Sequence, residues 1–235
     1  AAGLMCSIEA GKRGKKVLLL EHYKKIGEKI RISGGGRCNF TNLNTSPENF
    51  LSNNPNFCKS ALKQYSCDDF INLLKSHKIS FHEKTIGQLF CDNSSNDIIE
   101  MLISEINLAN VKILTNVSIQ NIKNRFEIFT NFGTFNCNSL VIATGGLSIP
   151  KIGATKFGYQ IARQFGLKII ETRPGLVPLI FTDNFLEYFK NLKGISINAT
   201  VFNKKNKFNE GLLFTHRGLS GPSILQISSY WYEGE

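Results

Sequence analysis

The sequence predicts an α/β protein, with helices alternating against a parallel sheet, an antiparallel β-meander, and a mostly β segment at the end. Three observations carry this. A helix headed by Gly3 leads to the all-apolar run Val17-Leu18-Leu19-Leu20 and then Glu21; a second such run, Leu140-Val141-Ile142-Ala143, ends in Thr144-Gly145-Gly146; and apolar–polar alternation dominates beyond residue 175.

In the first of these, Leu4, Ile8 and Gly11 share one side of a short helix, Lys12 to Lys16 make a polar turn, and the apolar run delivers Glu21. This is the helix-then-strand half of a βαβ unit, with an acid 18 residues after Gly3, near the ~20 of a Rossmann-like dinucleotide fingerprint. Gly3 reads as the third glycine of that fingerprint, so its first strand and first two glycines are expected upstream of Ala1. A carboxylate at Glu21 suits ribose hydroxyls and repels a 2′-phosphate, favouring FAD or NAD over NADP. An ordinary βαβ crossover capped by a solvated Glu has the same pattern.

The segment from Lys29 to Asn42 is the second candidate. Three consecutive glycines, Gly34, Gly35 and Gly36, give up packing and backbone entropy, so they answer a need for close approach or positive φ. Lys29, Ser33, Arg37, Cys38, Asn39, Thr41 and Asn42 surround them with polar groups suited to anionic oxygens or the heteroatom edge of a ring. A Gly-rich surface turn is the alternative.

Between these landmarks, residues 56–78 carry an apolar stripe at helical spacing and read as one helix. Residues 95–109 read as a second, capped by Ser or Asn, with Ile98, Ile99, Leu102, Ile103 and Ile106 inward. Residues 111–115 form a strand that continues through Ile119 past a bend. Asn131-Phe132-Gly133 closes a hairpin between residues 125–130 and 134–137. The run Leu140 to Ala143 reads as the central strand, with Thr144, Gly145 and Gly146 placed for close approach to a ligand at its carboxyl end. A helix follows from about Tyr159 to Phe165. Thr172-Arg173-Pro174-Gly175 is a breaker cluster, and Lys204 to Asn209 reads as a polar hairpin loop between strands 195–202 and 211–214.

Composition narrows the function classes. At 235 residues with 42% hydrophobic content the chain can bury a core, and no apolar run approaches the ~18 residues of a membrane span. Six scattered cysteines without C-x-x-C spacing indicate neither zinc nor disulfides, and a reducing cytoplasm is the expected location. The net charge of +10 comes from dispersed lysines without an aromatic-interleaved stripe, so no specific nucleic-acid partner is expected. Gly218-Leu219-Ser220-Gly221-Pro222 is not a G-x-S-x-G elbow, which excludes the usual serine hydrolase. His216 beside it is a candidate proton donor or a loop anchor.

Ser33 to Asn42, Ala143 to Gly146 and Phe214-Thr-His-Arg-Gly-Leu-Ser-Gly-Pro222 together resemble the bacterial HI0933-like (YhiN/BaiN-like) NAD(P)/FAD-dependent oxidoreductases, from Ala1 to Glu235 and in order. The resemblance implies a Rossmann-like FAD-binding domain over residues 1–172 lacking its first strand, and the start of a mostly β insert domain over 173–235. It also implies further chain beyond both ends, FAD as cofactor, NAD(P)H as a possible electron donor, and a backbone contact from Val117 to adenine. Cys91 stands where the family has proline, and Lys156-Phe157 replaces the Gly-Asp of a Gly-Asp-Gly-Tyr turn. The expected activity is flavin-mediated hydride or electron transfer to an unknown small molecule. An inactive or split fragment that does not bind FAD alone, and an NAD-dependent dehydrogenase, are the other readings.

Overall fold

The computed structural model describes residues 1–232; residues 233–235 of the expected second domain lie outside it. Two compact units result, the first Ala1–Lys168 and the second beginning at Ile169.

The first unit runs α1 (Ala2–Lys12), β1 (Leu18–Leu20), α2 (Glu28–Ile32), β2 (Asn39–Asn42), α3 (Lys59–Gln64), α4 (Cys67–Ser76), β3 (Phe81–Glu83), β4 (Gln88–Cys91) and α5 (Ser95–Leu108). It continues with β5 (Lys112–Leu114), β6 (Ile119–Lys123), β7 (Glu127–Thr130), β8 (Gly133–Asn136) and α6 (Phe157–Gln164). β1 and β5 pair in parallel, Leu19 opposite Ile113, as two sequence-distant apolar runs must when helices carry the chain between them. Leu4 and Ile8 of α1, Ile98, Leu102 and Ile106 of α5, and Leu74 of α4 close the core beside that pair. A methyl at Gly11 would strike the Ala109 carbonyl and lie 2.8 Å from its Cβ, so Gly11 lets α1 approach the end of α5. β2, β4 and β3 form one antiparallel sheet in the order β2-β4-β3, and β6, β7 and β8 form the expected meander.

Two expectations are corrected here. Residues 56–78 are two helices, because the chain extends at Tyr65 and Ser66 restarts it: Ser66 Oγ accepts from Asp69 N while Asp69 Oδ2 accepts from Ser66 N. Residues 140–143 belong to no sheet among the described residues. They lie beside Gly3 and Gly158 with Val141 62% exposed, and no described strand offers them a ladder.

The second unit comprises β9 (Leu179–Ile180), α7 (Asp183–Phe189), β10 (Ser196–Phe202), β11 (Lys207–Phe214), β12 (Gly218–Ser220) and α8 (Pro222–Ser228). Its strands are antiparallel in the order β10-β11-β12-β9. Phe181, Phe189 and Phe214 pack ring on ring, and α8 is fastened by Ser223 Oγ donating to Gly211 O at 3.0 Å. The expected loop at 204–209 is shorter: Asn203 to Asn206 turn the hairpin and Lys207 already pairs with Phe202.

Candidate dinucleotide site

The site is built at the carboxyl end of β1. Glu21 N donates to Leu114 O at 2.8 Å and Glu21 O accepts from Val117 N at 3.0 Å, so the backbone fixes where the carboxylate leaves the sheet. Oε1 accepts from Tyr23 N at 2.9 Å and lies 3.2 Å from His22 Nδ1. Oε2 has no protein partner among the described residues, leaving one strong acceptor for hydroxyl donors.

α1 starts against this corner. Gly3 packs between Leu19 and Ala143, where an added Cβ would meet them at 3.4 and 3.5 Å. No side chain among the described residues caps the helix.

Lys29 projects from α2, which Gly27 starts at φ 76° against Ile99 and which Ser95 Oγ holds by donating to Arg31 O at 2.7 Å. Its Nζ donates to Ser148 Oγ at 3.0 Å and Gly146 O at 3.3 Å, and stands 3.8 Å from where a Gly145 Cβ would be. The ammonium thus ties α2 to the Gly145–Gly146 turn across more than a hundred residues of sequence. Thr144 abuts the start of α6, its Oγ1 2.7 Å from a Cβ placed on Gly158. Gly153 closes the same loop over His22.

The glycine loop leaves the end of α2. Gly34, Gly35, Gly36 and Cys38 have φ of 57°, 66°, 88° and 52°. A methyl on Gly34 would lie 2.6 Å from Asn39 N and 2.7 Å from the Phe90 ring, whereas Gly35 and Gly36 face open space. Arg37 is exposed, and its guanidinium has no hydrogen bond or ion pair among the described residues. Two adjacent bare glycines beside an uncommitted cation are an arrangement chemically able to accept an anionic group.

The other candidates are differently employed. Ser33 Oγ donates to Ile30 O at 2.8 Å. Cys38 is buried, its thiol pKa raised by desolvation against an opposing Ser33 hydrogen bond, so only its backbone faces the loop. With its amide turned so that Nδ2 donates, Asn39 bonds the Thr41 and Leu89 carbonyls, each at 3.2 Å. Asn42 is spent on the neighbouring turn, Nδ2 donating to Ile86 O and Oδ1 accepting from Asn44 N. The Thr41 side chain has no partner among the described residues. Val117 is 1% exposed with its N–H held by Glu21. His216 belongs to the second unit, exposed at the β11–β12 turn that Thr215 pins by accepting from Gly218 N at 3.1 Å. Sequence reasoning did not single out Ser148 or His22; the only signal for Ser148 was its place two residues after the paired glycines.

The family model for the HI0933-like protein Rossmann domain matches residues 1–221. The chain belongs to the HI0933-like family. Among its relatives are the ribosomal RNA dihydrouridine synthases of Escherichia coli K12, 50% identical, and Haemophilus influenzae Rd, 48% identical, each covering all of this chain and 60% of its own length. The 3-dehydro-bile acid delta(4,6)-reductase of Clostridium scindens is 26% identical, again over the whole chain and 59% of that protein. This HI0933-like chain therefore spans about 60% of the length of the curated relatives it matches. No described helix is long and apolar enough to cross a membrane, and no cluster of metal-ligating side chains occurs among the described residues.

Proposed function

We propose that this chain is the cofactor-binding part of an FAD-dependent reductase that saturates a carbon–carbon double bond conjugated to a carbonyl, acting on uridine in ribosomal RNA. The observation that carries the reading is the pair of bare glycines beside uncommitted Arg37, on the loop that leaves α2, the helix whose Lys29 bonds the Gly145–Gly146 turn. Glu21 Oε2 accepts from a ribose hydroxyl. The amino end of α1 and the Gly35–Gly36 loop with Arg37 would hold the anionic oxygens of the diphosphate. Lys29 holds the Gly146 turn in place. When bound, the flavin supplies the hydride, and NAD(P)H is the electron donor that restores it.

The relatives' names support the reaction class. Making dihydrouridine from uridine and reducing a 3-oxo-4,6-diene both add a hydride and a proton across a double bond conjugated to a carbonyl. Relatives at 50% and 48% identity favour RNA over a steroid, and a net charge of +10 suits a polyanionic substrate. The proposal thus departs from the expectation that no specific nucleic acid is bound.

One observation favours a second reading, in which the chain by itself does not hold FAD: residues 140–143, which run into the Thr144–Gly146 turn, have no ladder partner among the described residues. Titration of the purified chain with FAD, following flavin fluorescence, with FMN and NAD as controls, decides between them. Saturable FAD binding that Glu21→Ala weakens supports the proposal; absence of binding leaves the second reading. Formation of dihydrouridine in unmodified ribosomal RNA, given FAD and NADPH, tests the substrate.

A further inference from the structure

We infer that the tip and outer face of the β10–β11 hairpin are a contact surface for single-stranded RNA. The inference rests on the proposed RNA substrate and adds where the chain grips it. Successive residues of a strand face opposite sides. Phe208 packs on Tyr230 and Leu212 is buried, which defines the inner face. The outer face presents Asn198, Thr200 and Phe202 of β10 opposite Gly211, Asn209 and Lys207 of β11. Phe202 is 74% exposed and directly paired with Lys207.

Beyond that pair the turn is rigid: Asn203 Oδ1 accepts from Lys205 N at 3.1 Å and Asn206 N at 2.8 Å, while Asn203 Nδ2 donates to Tyr230 O at 3.1 Å. Lys204 and Lys205 are held at its apex, exposed, and neither they nor Lys207 has an ion-pair partner among the described residues. The nearest acid in the hairpin, Glu210, belongs to the inner face opposite Ala199.

Among the described strands β10 is at the edge of its sheet, where charge would prevent strand addition, but the three lysines lie on the turn and on β11. Phe202 does lie on β10, and an exposed aromatic at an edge invites association. An aromatic ring beside three uncommitted cations, on a face of Asn and Thr without carboxylates, is what a base stacking on a protein and its flanking phosphates require. Charge complementarity thus commits the surface to RNA.

The test is the binding of a fluorescein-labelled single-stranded oligouridine to the purified chain, by anisotropy over a range of salt concentrations. Replacing Lys204, Lys205 and Lys207 together by Gln should flatten the slope of log K against log salt by about 2, at ~0.7 per phosphate contact. Phe202→Ser should weaken binding about 5- to 150-fold with the slope nearly unchanged. Thermal unfolding and FAD titration of the variants should match the parent. If the parent binds RNA and both variants bind it equally well, the hairpin surface is overturned while the RNA reading stands. If the parent shows no salt-dependent RNA binding, both fall. Loss of binding to anionic phospholipid vesicles, with RNA binding intact, also overturns the proposal.

Discussion

Alanine substitution at Gly34 and at Gly36 separates a glycine that the fold needs from one that the ligand needs. Both residues have positive φ, 57° and 88°, where a Cβ costs about 1–2 kcal/mol. At Gly34 the new methyl would also lie 2.6 Å from Asn39 N and 2.7 Å from the Phe90 ring. Asn39 N is backbone and Phe90 is buried in β4, so neither yields cheaply, and overpacking adds about 1–3 kcal/mol. Gly34→Ala should therefore destabilise by about 2–5 kcal/mol in urea unfolding. Gly36→Ala should lose only the backbone strain, since nothing lies within 4 Å of its Cβ. Its methyl instead stands in the space open to an anionic group, and the loss of one charge-assisted hydrogen bond to a phosphate, about 1.5–3 kcal/mol, weakens FAD about 10- to 150-fold. The measurements are urea midpoints and FAD fluorescence titrations on the same preparations. Equal stabilities for the two variants would refute the packing argument. Unchanged FAD affinity in Gly36→Ala would refute the anion-binding role of the loop.

The Lys12–Glu105–His77 cluster gives a pH test. Glu105 is 7% exposed and accepts from Lys12 Nζ at 2.6 Å and His77 Nε2 at 2.8 Å; the Lys12 bond is the main cause of its lowered pKa. A folded-state pKa below the unfolded value contributes stability above the ordinary carboxylate pKa of about 4.3, and that contribution is lost as pH falls through the folded value. Urea midpoints measured from pH 7 downward should therefore drop more steeply below about pH 4.3 in the parent than in Glu105→Gln; parallel curves would exclude this role. The cysteines give a reactivity test. Burial pushes the Cys91 thiol up to about 12 and also raises Cys38, whereas Cys6 is exposed. Ellman's reagent at pH 8 should label Cys6 at once and reach Cys38 and Cys91 only after denaturant is added. Prompt labelling of Cys91 in the folded chain would show that the core around β4 is open.

What the sequence disclosed depended on how local the cause was. The helix–strand–acid order from Gly3 to Glu21 is set by periodicity within twenty residues, and α1 and β1 form there. The break between α3 and α4 is just as local, since Ser66-x-x-Asp69 is a capping box, but the apolar stripe running across it masked the restart. The stretch at residues 140–143 failed for the opposite reason: an apolar run states a preference for burial and pairing, while a strand exists only where another backbone supplies the ladder.

The glycine loop shows the same limit within a single motif. Gly34, Gly35 and Gly36 are identical in sequence and all left-handed, so composition assigns them one role. They divide because Phe90, more than fifty residues downstream, turns its ring against the first and leaves the other two facing solvent. The antiparallel pairing of β2 with β4 brings Phe90 there, with Asn39 opposite it. Asn42 looked like a ligand donor and is consumed in fastening the turn at Ile86 that sets this register. The polar residues of the motif thus serve two ends. Asn39 and Asn42 secure the loop, and that leaves Gly35, Gly36 and Arg37 as its part open to a ligand.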